Sequence, residues 1–157
     1  MDLKTILEYE EGFRNEPYLC SEGFVTIGLG TKLHDLKGLD PSDFPVMVSR
    51  RIAFEWLETE VSIKSQRMMN DWTHQEAYAN LSEDRKAVVL SMAYQMGTRG
   101  VKKFKNMWFA LSRGEFDIAA SEALDSRWAA QTPERADRVA RVLRGESLEE
   151  VYGHIYD

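Results

Sequence analysis

An early switch in periodicity limits how this chain can fold. Leu3, Ile6 and Leu7 share one helical face behind a capping Asp2, and Gly12 is a natural left-handed stop directly after Glu11. Residues 17–30 then read as a β-hairpin. Ser21-Glu22-Gly23 supplies the turn, and Phe24, Val25, Thr26 and Ile27 are β-formers. Residues 35–45, with Gly38, Pro41, Pro45 and aspartates at 35, 40 and 43, read as a loop.

From there on the pattern is helical. A long helix is expected from about Val46 to Met69, with Val48, Ile52, Trp56, Thr59 and Ile63 at helical spacing. At 1.5 Å per residue it would reach about 35 Å, longer than a small lobe needs, so it is expected to link two lobes. Further helices are expected from Ser82 to near Gly97, from about Val101 to Leu111, and from about Phe116 to Leu124. Thr132-Pro133 reads as a cap with proline in the first turn, and Ser147 with Glu150 as a capping box. The expected fold class is therefore α+β and mostly helical. A small N-terminal lobe with a hairpin or short sheet (about 1–45) joins through the connecting helix (about 46–69) to a helical C-terminal lobe (about 70–157), all in one domain over 1–157.

Composition excludes several classes. Hydrophobic residues make up 43% and charged residues 29% of 157, which is ordinary globular usage. No run of apolar residues is long enough to span a membrane, and Met1–Glu8 lacks the basic and apolar regions of a secretory signal. Synthesis in the cytoplasm, without stable membrane insertion, is expected. A single cysteine rules out an internal disulfide and a multi-cysteine metal site, and His34, His74 and His154 show no ligand spacing. Neither a metal nor a cofactor is expected. The net charge of −6 argues against nucleic acid as a partner. The charge is uneven, because residues 99–144 carry ten Lys/Arg against six Asp/Glu. That stretch is either a solvated helix surface or a face for an anionic polymer.

The chemistry-bearing residues cluster between 11 and 30. Glycosidic cleavage needs a proton donor for the leaving oxygen and a base or nucleophile on the far side. Glu11 sits near a helix C-terminus, where the negative dipole end disfavours its ionised form, which suits a donor. The alternative is a surface glutamate among Glu8, Glu10 and Glu11. Cys20 is either a small buried apolar residue or a nucleophilic or water-orienting thiol. Thr26 alternates with Val25 and Ile27, so its hydroxyl can hold a water, or it is simply a β-former paired across the hairpin. Gly28 and Gly30 suggest close backbone approach to a ligand or a sharp bend. Thr26-Ile27-Gly28-Leu29-Gly30 is not a phosphate loop, because no lysine or helix start follows directly.

Taken together, the order Glu11, eight residues, Cys20, five residues, Thr26 resembles the phage-type lysozymes, glycoside hydrolase family 24. Glu11-Gly12, Tyr18, Glu22-Gly23 and Thr26–Gly30 belong to the same likeness. So do Tyr94-Gln95-Met96-Gly97 with Gly100-Val101, and Ser126-Arg127-Trp128 followed by Gln131–Ala136 and Arg138-Val139. The likeness covers nearly the whole chain and is weakest from Lys32 to about Asn80. It implies a bilobed lysozyme-like fold. The implied activity is hydrolysis, with inversion, of the β-1,4 bond between N-acetylmuramic acid and N-acetylglucosamine in peptidoglycan.

The resemblance implies Glu11 as general acid, with Cys20 assisting attack by a water held near Thr26. Arg135 is implied to pair with Glu11 across the cleft and hold its carboxyl in place. Tyr94, Gln95, Gln131 and Lys32 are implied to line the saccharide groove, and Trp128 is expected in the lobe core. Peptidoglycan is the implied partner of a monomer made in the host cytoplasm, reaching the periplasm through a holin-type pore and causing host lysis. Many members carry Asp where this chain has Cys20, one has histidine at the position of Thr31, and well-studied members are basic. Two other readings share the fold: a wall-binding or lysis-control protein without the chemistry, and membrane disruption by the basic helices.

Overall fold

The computed structural model describes residues 1–70 and 74–157. Among these, nine α-helices and three strands follow the order α1 (Leu3–Glu11), β1 (Arg14–Leu19), β2 (Phe24–Gly28), β3 (Thr31–Lys37), then a 3-10 turn at Pro41–Asp43. The helices α2 (Arg50–Asn70), α3 (Gln75–Ala79), α4 (Glu83–Lys102), α5 (Lys105–Ser112), α6 (Phe116–Leu124), α7 (Arg127–Gln131), α8 (Pro133–Arg144) and α9 (Leu148–Tyr152) follow, with a last 3-10 turn at Gly153–Tyr156. The architecture is the α+β lysozyme-like fold. Two compact units divide it: Leu7–Glu60, and Met1–Ile6 with Val61–Asp157. The divisions fall inside α1 and α2, so each of those helices contributes to both units.

In the Leu7–Glu60 unit the sheet is antiparallel in the order β1-β2-β3. Thr26 stands opposite Tyr18 on one side and Lys32 on the other. Leu7, Val25, Ile27, Leu29, Val48, Ala53 and Leu57 are buried. Helix α2 packs tightly on the sheet at Gly28, where an added Cβ would lie 3.1 Å from Ala53 Cβ and 3.5 Å from Val48 Cγ1. Arg50 forms an ion pair with Glu8.

Two expectations for this stretch need correction. The hairpin is a three-stranded sheet, because Thr31–Lys37 is a strand and the loop begins only after it. Its Lys, His and Asp residues weaken the strand signal, yet charged residues are what an exposed edge strand carries. In the long helix, Val48 precedes the first turn, and Ile52, Trp56 and Ile63 are exposed. Ala53, Leu57 and Met68 are buried instead. Apolar residues surround this helix on several sides, so spacing alone could not select the buried stripe.

The other unit is helical, with one large buried cluster that includes Met92, Met107, Trp108, Leu143 and Tyr152. The Trp108 indole N–H donates to the Val101 carbonyl at 2.9 Å. Asp2 caps α1 by accepting from the Thr5 N–H at 2.9 Å, and Ser147 and Glu150 form the expected capping box. The break at Gly97 is real (φ 82°, ψ 157°), but helix resumes at once and runs to Lys102, and α5 begins afresh at Lys105. Thr132 does not cap α8 with its side chain; its hydroxyl donates to the Trp128 carbonyl at 3.0 Å.

Candidate active site

Glu11 is the last residue of α1, and Gly12 closes the helix by donating to the Glu8 carbonyl at 2.9 Å. The Glu11 side chain lies against the β2–β3 turn. A Cβ on Gly30 would meet Glu11 Oε2 at 2.7 Å and Cδ at 3.2 Å. The close backbone approach expected near Gly28 and Gly30 is thus made by protein groups, Ala53 and Val48 at one glycine and Glu11 at the other.

Cys20 follows β1, where its N–H donates to the Phe24 carbonyl at 2.9 Å and its carbonyl accepts from the Gly23 N–H at 2.9 Å. It is half-buried and free of any disulfide. Burial pushes the thiol up, but N–H groups of Phe24 and Glu22 and the Thr26 hydroxyl together outweigh it. The net effect lies below the ordinary thiol value despite the nearby Glu22 charge. Thr26 is 3% exposed, so it is as buried as its neighbours in β2. Its hydroxyl donates to the Phe24 carbonyl at 3.0 Å. One hydroxyl proton can serve either that carbonyl or the Cys20 sulfur by rotation, and the oxygen lone pairs can accept from a water.

Tyr18 on β1 stands opposite Thr26. Burial raises its phenol, the Glu11 carboxylate adds to the rise, Arg14 opposes it, and Cys20 adds again. The Arg14 guanidinium carbon lies 4.5 Å from the Tyr18 ring centroid. No spacing rule marks this residue, since a strand tyrosine is ordinary. Its register with Thr26 is visible only once the strands pair. Lys32, on the edge strand, is exposed, with its ammonium 3.9 Å from the Phe24 ring centroid.

The remaining sequence-derived residues belong to the helical unit. Tyr94 and Gln95 lie on α4 just before the Gly97 break, and both are half-buried. The Lys64 ammonium is 5.8 Å from the Tyr94 ring. Gln95 Oε1 accepts from the Trp128 indole N–H at 2.8 Å, and Trp128 packs edge-on against Phe104, so Trp128 is a core residue. Gln131 ends α7 and is exposed. Arg135 on α8 is buried, its Nη2 donating to Ser91 O and Oγ, each at 3.1 Å. Among the described residues no group of three acidic, histidine or cysteine side chains is arranged to hold a metal. No described helix is long and apolar enough to cross a membrane.

Comparison with known proteins places the chain among relatives. A protein from Dictyostelium discoideum called probable T4-type lysozyme 2 is 32% identical over 165 residues, covering 94% of this chain and 96% of its own. Probable T4-type lysozyme 1 of the same organism is 28% identical over 163 residues, covering 93% and 95%. The pre-baseplate central spike protein Gp5 of Enterobacteria phage T4 is 28% identical over 164 residues, covering 95% of this chain but 28% of Gp5. The family profile described as Phage lysozyme matches residues 8–144, from the last turn of the helix that bears Glu11 to the end of α8. With that match and a lysozyme-like fold, the chain belongs to the phage lysozyme family, whose class of activity is that of a glycosidase.

Proposed function

We propose that the protein cleaves the β-1,4 bond between N-acetylmuramic acid and N-acetylglucosamine in bacterial peptidoglycan, with inversion, using Glu11, Cys20 and Thr26. The observation that carries this reading is the placement of all three around one small sheet: Cys20 directly follows β1, Thr26 lies on β2 opposite Tyr18 of β1, and the turn after β2 meets the Glu11 carboxyl. In an inverting reaction the acid protonates the leaving oxygen while a base removes a proton from water on the opposite face of the sugar. Glu11 supplies the proton. Thr26 Oγ1 holds the water, and the Cys20 thiolate, favoured by its N–H donors, takes the water's proton. Lys32, Tyr94, Gln95 and Gln131 contact the saccharide chain, and Arg135 holds the Glu11 carboxyl in place. The protein acts as a monomer on the cell wall from the periplasmic side, after synthesis in the host cytoplasm and release through a holin-type pore.

The test is turbidity clearing of outer-membrane-permeabilised Gram-negative cells by wild type and Glu11→Gln, with the sugars released analysed by mass spectrometry. Clearing by wild type alone, with N-acetylmuramic acid at the new reducing ends and an inverted anomer by NMR, is expected. Proton donation by a positioned acid typically contributes about a hundredfold or more, so Glu11→Gln should fall at least that far. Clearing by both proteins would remove Glu11 from the mechanism. Clearing by neither, with protein still pelleting on purified walls, would favour a wall-binding role. Cys20→Asp should remain active, because the N–H groups that favour a thiolate there also suit a carboxylate. If Cys20→Asp is inactive while Cys20→Ser works, the base role fails.

A further inference from the structure

We propose that Gly30 is a positioning residue for the Glu11 acid: the side-chain space left empty at the β2–β3 turn is where the carboxyl is seated. The seating is a matter of geometry. Its catalytic consequence rests on the reading of Glu11 as general acid.

Glu11 ends a helix and has three rotatable side-chain bonds, so its carboxyl needs a surface that limits where it can go. The structure gives that surface as backbone. A Cβ at residue 30 would lie 2.7 Å from Oε2, 3.2 Å from Cδ and 3.4 Å from Cγ of Glu11. The first of these is shorter than real Cβ contacts become, so any larger residue displaces the carboxyl. Gly30 also has a positive φ of 82°, but that alone does not explain the site. Gly38 has nearly the same φ (76°), and a Cβ there would meet nothing within 4 Å.

Residue 30 also stands in a telling place. β2 ends at Gly28 and β3 starts at Thr31, with Ile27 opposite Thr31 and Thr26 opposite Lys32. The turn that seats the acid therefore closes the same ladder that carries Thr26. Backbone hydrogen bonds in that ladder hold the turn, and through it the carboxyl, in fixed relation to the Thr26 hydroxyl. An inverting hydrolase needs such a relation, because the acid and the water-holding groups must face opposite sides of one sugar carbon. A misplacement near 1 Å costs about a hundredfold in rate.

Two measurements test this. Gly30→Ala should keep the wild-type circular dichroism and lose about a hundredfold in kcat, with KM changed by no more than about twofold. Gly38→Ala carries similar backbone strain in open space and should keep its activity. The second measurement does not depend on activity. Gly30→Ala should lower Tm more than Gly38→Ala does, and this excess should disappear when Glu11 is replaced by Ala, because no carboxyl is left to displace. Wild-type kcat in Gly30→Ala, or the same excess loss of Tm with and without the Glu11 side chain, would overturn the proposal. Full activity in Glu11→Gln would instead overturn the acid assignment, while the Tm comparison would still decide whether the carboxyl is seated on Gly30.

Discussion

The Leu7–Glu60 unit and the helical unit hold their candidate residues by different means. In the first, Glu11 rests on turn backbone, Cys20 takes N–H groups of its own hairpin, and Thr26 donates to a main-chain carbonyl. In the second, Gln95 and Arg135 are tied by side chain to partners far along the chain, Trp128 and Ser91, above a large apolar cluster. Charge divides the same way. Residues 7–60 carry eleven Asp/Glu against five Lys/Arg, the whole net charge of −6, and the rest of the chain is balanced. The net acidity of this chain is therefore confined to the unit bearing Glu11. The contrast teaches that a small sheet with few buried residues can still place chemical groups well if backbone does the placing. A helical core places side chains through burial.

The largest expected effect probes the helical side of that contrast. Trp108 is fully buried, stacks on His74 and bonds to the Val101 carbonyl, so Trp108→Ala should cost about 3–5 kcal/mol in urea unfolding. A loss below about 1 kcal/mol would mean that burial is not what holds this unit. Glu11→Gln should do the opposite, removing clearing activity by about a hundredfold or more while Tm changes little, since no core contact is lost. A large drop in Tm would break the contrast. Gln95→Met keeps the side-chain length but leaves the Trp128 indole N–H without its acceptor. It should cost about 1–3 kcal/mol, and KM should rise only if Gln95 also meets saccharide.

The smallest effects are two pH dependences that separate the units. Burial, and then Lys102, hold His74 below its ordinary imidazole value. The unfolded chain binds that proton more tightly, so the His74 contribution to stability is complete above the ordinary imidazole range. It is lost as pH falls through the lower folded value. Cys20 is also depressed, so its contribution is complete above the ordinary thiol value and is lost as pH falls through the folded one. Tm measured across both ranges should show the acidic slope flattened by His74→Asn and the alkaline slope flattened by Cys20→Ser. An alkaline slope unchanged in Cys20→Ser would mean that the hairpin N–H groups do not favour the thiolate.

Much of the fold is legible in local signals. Asp2, Ser82 and Ser147 act through hydroxyls or carboxylates on N–H groups three residues away, and the Gly97 break needs only one residue with positive φ. Such interactions lie within a few residues, so a linear reading finds them. Thr132 makes no side-chain cap because its hydroxyl is turned toward the Trp128 carbonyl, to which it donates, and not toward the first N–H groups of α8. Strand β3 is not legible in the same way, because its residues are those of an exposed edge, which resemble a polar loop until β2 is beside them.

By itself the sequence determined the first helix and hairpin, the succession of the longer helices, the family to which the chain belongs, and the spacing of Glu11, Cys20 and Thr26. Each depends on residue types at fixed separations. Tertiary structure alone decided which stripe of α2 is buried: Ala53 and Leu57 are buried while Ile52 and Trp56 are exposed, and Ala53 meets the sheet at Gly28. It also decided that Tyr18 stands opposite Thr26, and that the Glu11 carboxyl takes the space a side chain at residue 30 would fill. These depend on distances between residues far apart in the chain, and such distances exist only after strand pairing and helix packing have set them.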